Sequence, residues 1–325
     1  MITASGRHYG WGVALHVFAI GMRTRFRGLT TRDGVLIRGD AGWAEFSPFW
    51  DYGDAVGQWW RAAKEAADTG WPAPLREAIP VNVTVPAVDP RSAADLVRAA
   101  GCSTAKVKVA EPGQGEADDV ARVAAVRDAL GPGGRIRVDA NAAWDAETAI
   151  RRLRALDRAA GGLEYAEQPC ATLAELAAVR RATDVPVAAD ESIRLAADPL
   201  DVVRAEAADV AVLKVQPLGG VRACLELAER LGLPVVVSSA LETSVGLAAG
   251  LALAAALPEL PFACGLGTAR LLSGDLVADP LVPVGGVLMV RRPAPEPELV
   301  ARYAADPDLA RRWRERVSTV AGALR

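Results

Sequence analysis

Residues 103–111 read STAKVKVAE, with Lys106 and Lys108 alternating with Ala105, Val107 and Val109. Residues two apart on a strand share a face, so the spacing predicts a short strand with both ammonium groups on one side. If helices cover the other side, the lysines point into the middle of a sheet. The same kind of β-branched run recurs along the chain: VNVTVPAV (81–88), AKVKVA (105–110), RIRVDAN (135–141), LEYAEQP (163–169), VPVAADES (185–192), VAVLKVQP (210–217), PVVVSSALE (234–242) and a weaker FACGLGTA (262–269). Amphipathic segments rich in Ala, Leu and Arg separate them. Eight such units, spaced by roughly 20–30 residues, call for parallel strands joined by right-handed crossovers. That count predicts a closed (β/α)8-type barrel. No GxGxxG follows the first run, which argues against a dinucleotide-binding doubly wound sheet.

The totals narrow the function. Of 325 residues, 51% are hydrophobic and 24% charged, enough to build a large core and too apolar for a disordered chain. A formal charge of −3 gives no general attraction to nucleic acid or anionic membrane. No apolar run reaches the roughly 20 residues of a membrane span; VGLAAGLALAAALPEL (245–260) comes nearest and reads as a buried helix. The first residues lack a secretory h-region and cleavage site, so no signal peptide is expected, and residues 1–12 read as a flexible extension. Cys102, Cys170, Cys224 and Cys264 are dispersed and form no CxxC. They suit buried thiols in a reducing cytoplasm. With His8 and His16 the only histidines, a histidine zinc site or a Ser-His-Asp triad is excluded, and any metal must be held by carboxylates.

Residues 13–78 have a different texture. Turn signals in TTRDGVLIRGDAGWAEF precede a helical stretch, and Trp43, Trp50, Trp59, Trp60 and Trp71 all fall here. The region predicts a small α+β unit, to which the tail from about 280 to 325 returns; residues 79–279 form the barrel. The tryptophans are expected in its core.

In such barrels, chemistry sits at the C-terminal ends of the strands. The second run offers Lys106 and Lys108, the third Asp139, the fourth Glu167, the fifth Asp190 and the sixth Lys214. Successive groups are about one βα repeat apart, so they come from successive staves. Three inward carboxylates repel one another and are costly to bury unless neutralised. A hard divalent cation with oxygen ligands solves this: Mg2+, with Mn2+ as a substitute. Such an ion can hold a substrate carboxylate and stabilise a developing enediolate, while the flanking lysines reach the α-carbon. A lysine base needs a lowered pKa. Two ammonium groups about 7 Å apart repel by roughly 2 kcal/mol at an effective dielectric near 20, or one to two pKa units.

AKVKVA, RVDANAAW, EYAEQP, AADES and VLKVQPLGG together resemble the signature series of the enolase superfamily, muconate-cycloisomerase-like branch. GMRTRFRGLTTRDGVLI, GWAEFSPFWDY, SSALETSVGLAAGLALAAALPEL and ACGLGTARLL resemble, more narrowly, the actinobacterial o-succinylbenzoate synthases. The likeness runs from about residue 14 to 290. It implies an α/β fold, a modified TIM barrel of (β/α)7β form under an α+β capping domain, in agreement with the strand count. It further implies that Asp139, Glu167 and Asp190 bind Mg2+. Lys108 would take the α-proton of 2-succinyl-6-hydroxy-2,4-cyclohexadiene-1-carboxylate and protonate the departing hydroxyl, a syn dehydration giving 2-succinylbenzoate for menaquinone biosynthesis. Lys214 would stabilise the anionic ring from the opposite face, and Lys106 would tune Lys108.

Several residues stay open between two roles. Arg137 shares a face with Asp139 and serves either the site or a structural ion pair. Ser239 and Glu242 could line the succinyl pocket. Gly265 and Gly267 could admit the ligand against bare backbone or only shape a turn. Arg23, Arg25 and Arg27 are expected in solvent on a capping loop. Glu191 would point away from Asp190 on a strand and is left out of the metal set. The expected partner is a small-molecule carboxylate, with no nucleic acid and no membrane span, for a monomer or weak homo-oligomer. The competing functions are N-succinylamino acid racemization with the same metal and lysines, a Schiff-base aldolase using Lys214 or Lys108, and a non-catalytic interaction protein.

Overall fold

The computed structural model describes residues 15–53 and 56–324; the extension expected at 1–12 lies outside them. Strands β1 (His16–Phe26), β2 (Leu29–Gly39) and β3 (Gly42–Phe46) form an antiparallel sheet in that order. At the β1–β2 tip Arg27 and Gly28 both have positive φ, 52° and 76°, the two-residue hairpin geometry whose twist matches the strands it joins. A helix at Gly57–Lys64 and the helix Pro307–Ala323 pack on this sheet. Phe46, Trp59, Trp313 and Val317 share one buried cluster there, which joins the C-terminal helix to the cap.

After β4 (Ala78–Pro80), seven strands run parallel: β5 (Val83–Val85), β6 (Thr104–Lys108), β7 (Arg135–Asp139), β8 (Tyr165–Glu167), β9 (Val187–Ala189), β10 (Val210–Lys214) and β11 (Val235–Ser238), neighbours in sheet order as in sequence. β12 (Val287–Met289) pairs back onto β4. The eighth run, expected as a strand at 262–269, forms none; it supplies two parallel bridges, Val81 to Cys264 and Ser238 to Gly265. The Asn82 N–H donates to Cys264 O at 3.0 Å and the Gly265 N–H to Val237 O at 2.8 Å. Those bonds join the two edges of the sheet, so it closes at this level although glycine-rich backbone leaves the last stave too short for a ladder.

Alternation along each strand sorts the core. Ala105 and Val107, Ile136 and Val138, Val187 and Ala189, Val235 and Val237 belong to the large cluster shared with the surrounding helices. Residues of the opposite parity, such as Tyr165, Ala188, Val210, Val212 and Val236, pack together in a second cluster. Lys106 and Lys108 have that second parity. The helix Ser244–Ala256 is buried along almost its whole length, as its unbroken apolar sequence requires. Among the described residues, no helix is long and apolar enough to cross a membrane.

Candidate active site

Strand register sets the rim. Lys108 is the lateral partner of Asp139, and Asp139 of Glu167; across the ring, Lys214 is the partner of Ser238. β9 ends at Ala189, and Asp190 follows immediately, its N–H donating to Gln168 Oε1 at 3.0 Å. Asp139, Glu167 and Asp190 are all at most 1% exposed.

Each carboxylate is met by a cation. Lys106 Nζ lies 2.9 Å from both oxygens of Glu167 and 3.1 Å from Asp139 Oδ2. Lys108 Nζ pairs with Asp139 Oδ2 at 2.5 Å and donates to Asn141 Oδ1. Lys214 Nζ pairs with Asp190 Oδ2 at 2.6 Å. Burial raises Glu167 to about 7, and the adjacent Asp139 and Asp190 charges add to it against the pull of Lys106 and Lys214. Burial would also raise Asp190, but Lys214 and Arg194 hold it down at about 2. Asp139, buried but set between Lys108 and Lys106, lies well below the usual carboxylate range. Burial works to lower Lys106, and the Glu167 and Asp139 charges outweigh it, holding the ammonium above its ordinary value.

Lys106, Lys108, Asp139 and Lys214 open onto one cavity. The cap supplies its roof through Phe26, Arg27, Phe49, Tyr52 and Trp59. Lys108 Nζ lies 5.5 Å from the centre of the Phe26 ring, and the Arg27 guanidinium stacks 4.3 Å from that of Phe49. Arg27 is exposed, as expected, and its side chain also lines the cavity. Trp59 is both core and wall.

Of the residues proposed to touch substrate, Ser239 and Gly265 line the cavity. A Cβ at Gly265 would fall 2.6 Å from Ser238 Oγ and 3.2 Å from Ser238 Cβ, so a larger residue at this closure of the ring would have to displace the serine side chain. Arg137, Glu242 and Gly267 are not among the lining residues. Arg137 lies one layer below Asp139, fully buried, bonded to Glu164, Asn82 Oδ1 and Ala263 O and stacked on Tyr165; strand parity fixes a face but not a depth. Glu242 turns inward to accept from Gln216 Nε2 and the Ala240 N–H. Gly267 opens a 3-10 turn, where a Cβ would sit 3.0 Å from Asn82 O. Glu191, expected to face away, does not line the cavity but bonds to two residues that do, Asn141 and Arg194. The strand has already ended, so alternation no longer applies, and its Oε1 accepts from Asn141 Nδ2 at 3.2 Å and from Arg194 Nη2 at 2.7 Å. Arg194 also donates to Asp190 and to the Tyr52 hydroxyl, tying the rim to the cap. Asn141 stood in the sequence on the face of Asp139; Arg194 and Tyr52 carried no local signal.

Parallel strands closed into a ring thus carry three carboxylates between two lysine-bearing staves beneath an antiparallel cap. Residues 89–295 match the family described as enolase C-terminal domain-like, and residues 17–67 the enolase N-terminal domain-like family. The muconate lactonizing enzyme from Pseudomonas fluorescens, solved with muconolactone, superimposes with a TM-score of 0.78 over 90% of this chain and 98% of that one, at 22% identity. That likeness shows the shared fold. The o-succinylbenzoate synthase of Thermobifida fusca is 64% identical over 307 residues, covering 94% of this chain and 95% of that protein. The o-succinylbenzoate synthase of Mycobacterium bovis is 54% identical over 305 residues, 93% and 92% of the two chains. The chain belongs to the o-succinylbenzoate synthase family, hydro-lyases of the enolase superfamily.

Membership of that superfamily implies a divalent metal. Among the described residues, no three Asp, Glu, His or Cys groups stand close enough together to hold one, and lysines pair with each of the three carboxylates. The donor set nevertheless suits the ion. It consists of three hard, buried carboxylates on successive staves, and burial, with the neighbouring Asp139 and Asp190 charges adding to it, pushes Glu167 up to about 7 even beside Lys106.

Proposed function

We propose that this protein catalyses the syn dehydration of 2-succinyl-6-hydroxy-2,4-cyclohexadiene-1-carboxylate to 2-succinylbenzoate, in the cytoplasm and for menaquinone biosynthesis. The observation that carries the reading is the placement of Lys108 and Lys214. They stand on β6 and β10, open onto the same cavity, and each is paired with a rim carboxylate. In this reading the cap, residues 13–78 with about 280–325, closes over the barrel of residues 79–279.

Asp139, Glu167 and Asp190 would hold Mg2+, or Mn2+ in its place. When bound, the ion supplies Lewis-acid stabilisation of the charge that develops on the substrate carboxylate. The rest of the chemistry belongs to the chain. Lys108, as the free amine, takes the proton from the carbon next to the carboxylate. The electron pair left behind forms the new ring double bond as the C–O bond to the neighbouring hydroxyl breaks. The Lys108 ammonium returns the proton to that oxygen, so water leaves from the face on which the proton was taken. Lys214 places its positive charge against the other face of the ring. Lys106 holds Glu167 and Asp139 in position and adds positive potential beside Lys108. Ser239 and Gly265 form part of the wall against the substrate. Phe26, Phe49 and Trp59 keep the site dry, which strengthens each of these charge contacts.

The racemase reading would use the same lysines as opposed bases, but the relatives that cover almost the whole chain carry the synthase name. Two assays on the purified protein with Mg2+ separate the readings. The proposal expects loss of the cyclohexadiene absorbance with stoichiometric 2-succinylbenzoate, and no solvent deuterium entering N-succinylamino acids. Deuterium exchange without dehydration would replace the synthase with the racemase.

A further inference from the structure

Arg32 is a buried cation that the chemistry above does not use. It sits on β2 of the cap, 1% exposed, and its donors are spent on main-chain carbonyls and one hydroxyl. Nε donates to Leu241 O at 3.0 Å, Nη2 to Ala240 O at 3.2 Å and Ser47 Oγ at 2.9 Å, and Nη1 to Asp33 O at 2.9 Å. Its guanidinium lies 4.5 Å from the centre of the Phe49 ring. Ala240, Leu241 and Phe49 all line the active-site cavity. One side chain of the cap thus grips two separate parts of the cavity wall, one in the cap and one in the loop after β11.

That loop needs a grip. Leu241 has φ +62°, a left-handed conformation that costs a residue with a Cβ about 1–2 kcal/mol. It lacks the local remedy of glycine. The conformation is pinned from both sides: Glu242 accepts from the Ala240 N–H at 2.7 Å, and Arg32 takes the carbonyls of Ala240 and Leu241. The nearby Glu45 accepts from Ser47 Oγ and, at the adjoining helix start, from Thr243 and Gly246, and its charge acts on Arg32. Holding carbonyls in several directions suits the planar, multiply donating guanidinium and not the single ammonium of lysine. Burying such a charge is expensive, and a cap–barrel contact made only for stability could be apolar.

We propose that Arg32 is a positioning residue that fixes the Ala240–Leu241 wall and, through it, the binding of the non-reacting arm of the substrate. It does not touch the reacting carbon. The inference rests on the dehydratase reading, and the test separates their failures. Arg32→Lys, confirmed folded by its near-ultraviolet circular dichroism, is compared with wild type on the cyclohexadiene substrate. The expected result is a KM raised roughly tenfold with kcat within about threefold, a matching loss of affinity for 2-succinylbenzoate, and an unchanged Mg2+ half-saturation. A purely structural role would lower Tm and leave KM where it was. If Arg32→Lys does not fold, Ser47→Ala, which removes one acceptor that holds the same guanidinium, is compared with wild type instead. It is expected to raise KM in the same direction by a smaller factor, with kcat again within about threefold. An unchanged KM in either folded comparison, with active wild type, overturns this inference alone. Wild type that fails to dehydrate the substrate overturns the proposed function and this inference with it.

Discussion

Lys106 and Glu167 meet inside the barrel with the ammonium equidistant, at 2.9 Å, from both carboxylate oxygens, and Asp139 closes the same cation at 3.1 Å. All three side chains are shut away from solvent. Removing the cation leaves two buried carboxylates facing each other, and broken buried pairs typically cost about 3–5 kcal/mol. Lys106→Met is therefore expected to lower the urea-unfolding free energy by about that amount, and Lys106→Met/Glu167→Gln by distinctly less. Equal losses in the two variants would mean that the pair is not what holds this layer together.

Glu45 gives the fold a pH dependence of known sign. Burial raises it to about 7 from an ordinary 4.5, although Arg32, Ser47 and Thr243 all pull it down and Glu242 pushes it up. Between those values the folded chain keeps a proton that the unfolded chain gives up. The stabilisation tied to Glu45 is thus complete below about pH 4.5 and is lost as pH rises through about 7. Between about pH 5 and pH 8.5, wild type is expected to lose on the order of 1–3 kcal/mol more stability than Glu45→Gln, which cannot ionise. Parallel stability profiles for the two proteins would contradict this.

Metal removal separates the dehydratase from a Schiff-base enzyme. Chelation with EDTA is expected to abolish turnover, and Mg2+ or Mn2+ to restore it. Borohydride added with substrate should leave the protein mass unchanged. Added Mg2+ should also raise Tm in proportion to the logarithm of its concentration above Kd. Turnover that survives chelation, or a reduced lysine adduct, would remove the metal from the mechanism.

How far the sequence could be read depends on which geometry is local. The period-two alternation of AKVKVA and the recurrence of βα repeats place Lys106, Lys108, Asp139, Glu167, Asp190 and Lys214 on the inner face of successive staves, and the register of β6 to β8 puts Lys108, Asp139 and Glu167 in one row. Depth along a stave is a different quantity. Arg137 shares the parity of Asp139 yet ends a layer lower, bonded to Glu164 and Asn82. Parity itself ends where the strand ends, which is why Glu191, just beyond β9, can bond to Asn141 at the rim. The roof was the least legible part. Arg194 meets Tyr52 across 142 positions of chain, and Arg32 meets Leu241 across 209; no local pattern encodes contacts made only when cap and barrel come together.

The central claim is that Lys108 and Lys214 work from opposite walls of one cavity on one substrate. The measurement closest to it is the absorbance assay on the cyclohexadiene substrate with wild type, Lys108→Ala and Lys214→Ala, each saturated with Mg2+. The account predicts that Lys108→Ala loses about 100- to 10,000-fold in kcat, the range for removing a general base, and that Lys214→Ala also falls well below wild type. Near wild-type turnover by both variants would contradict it.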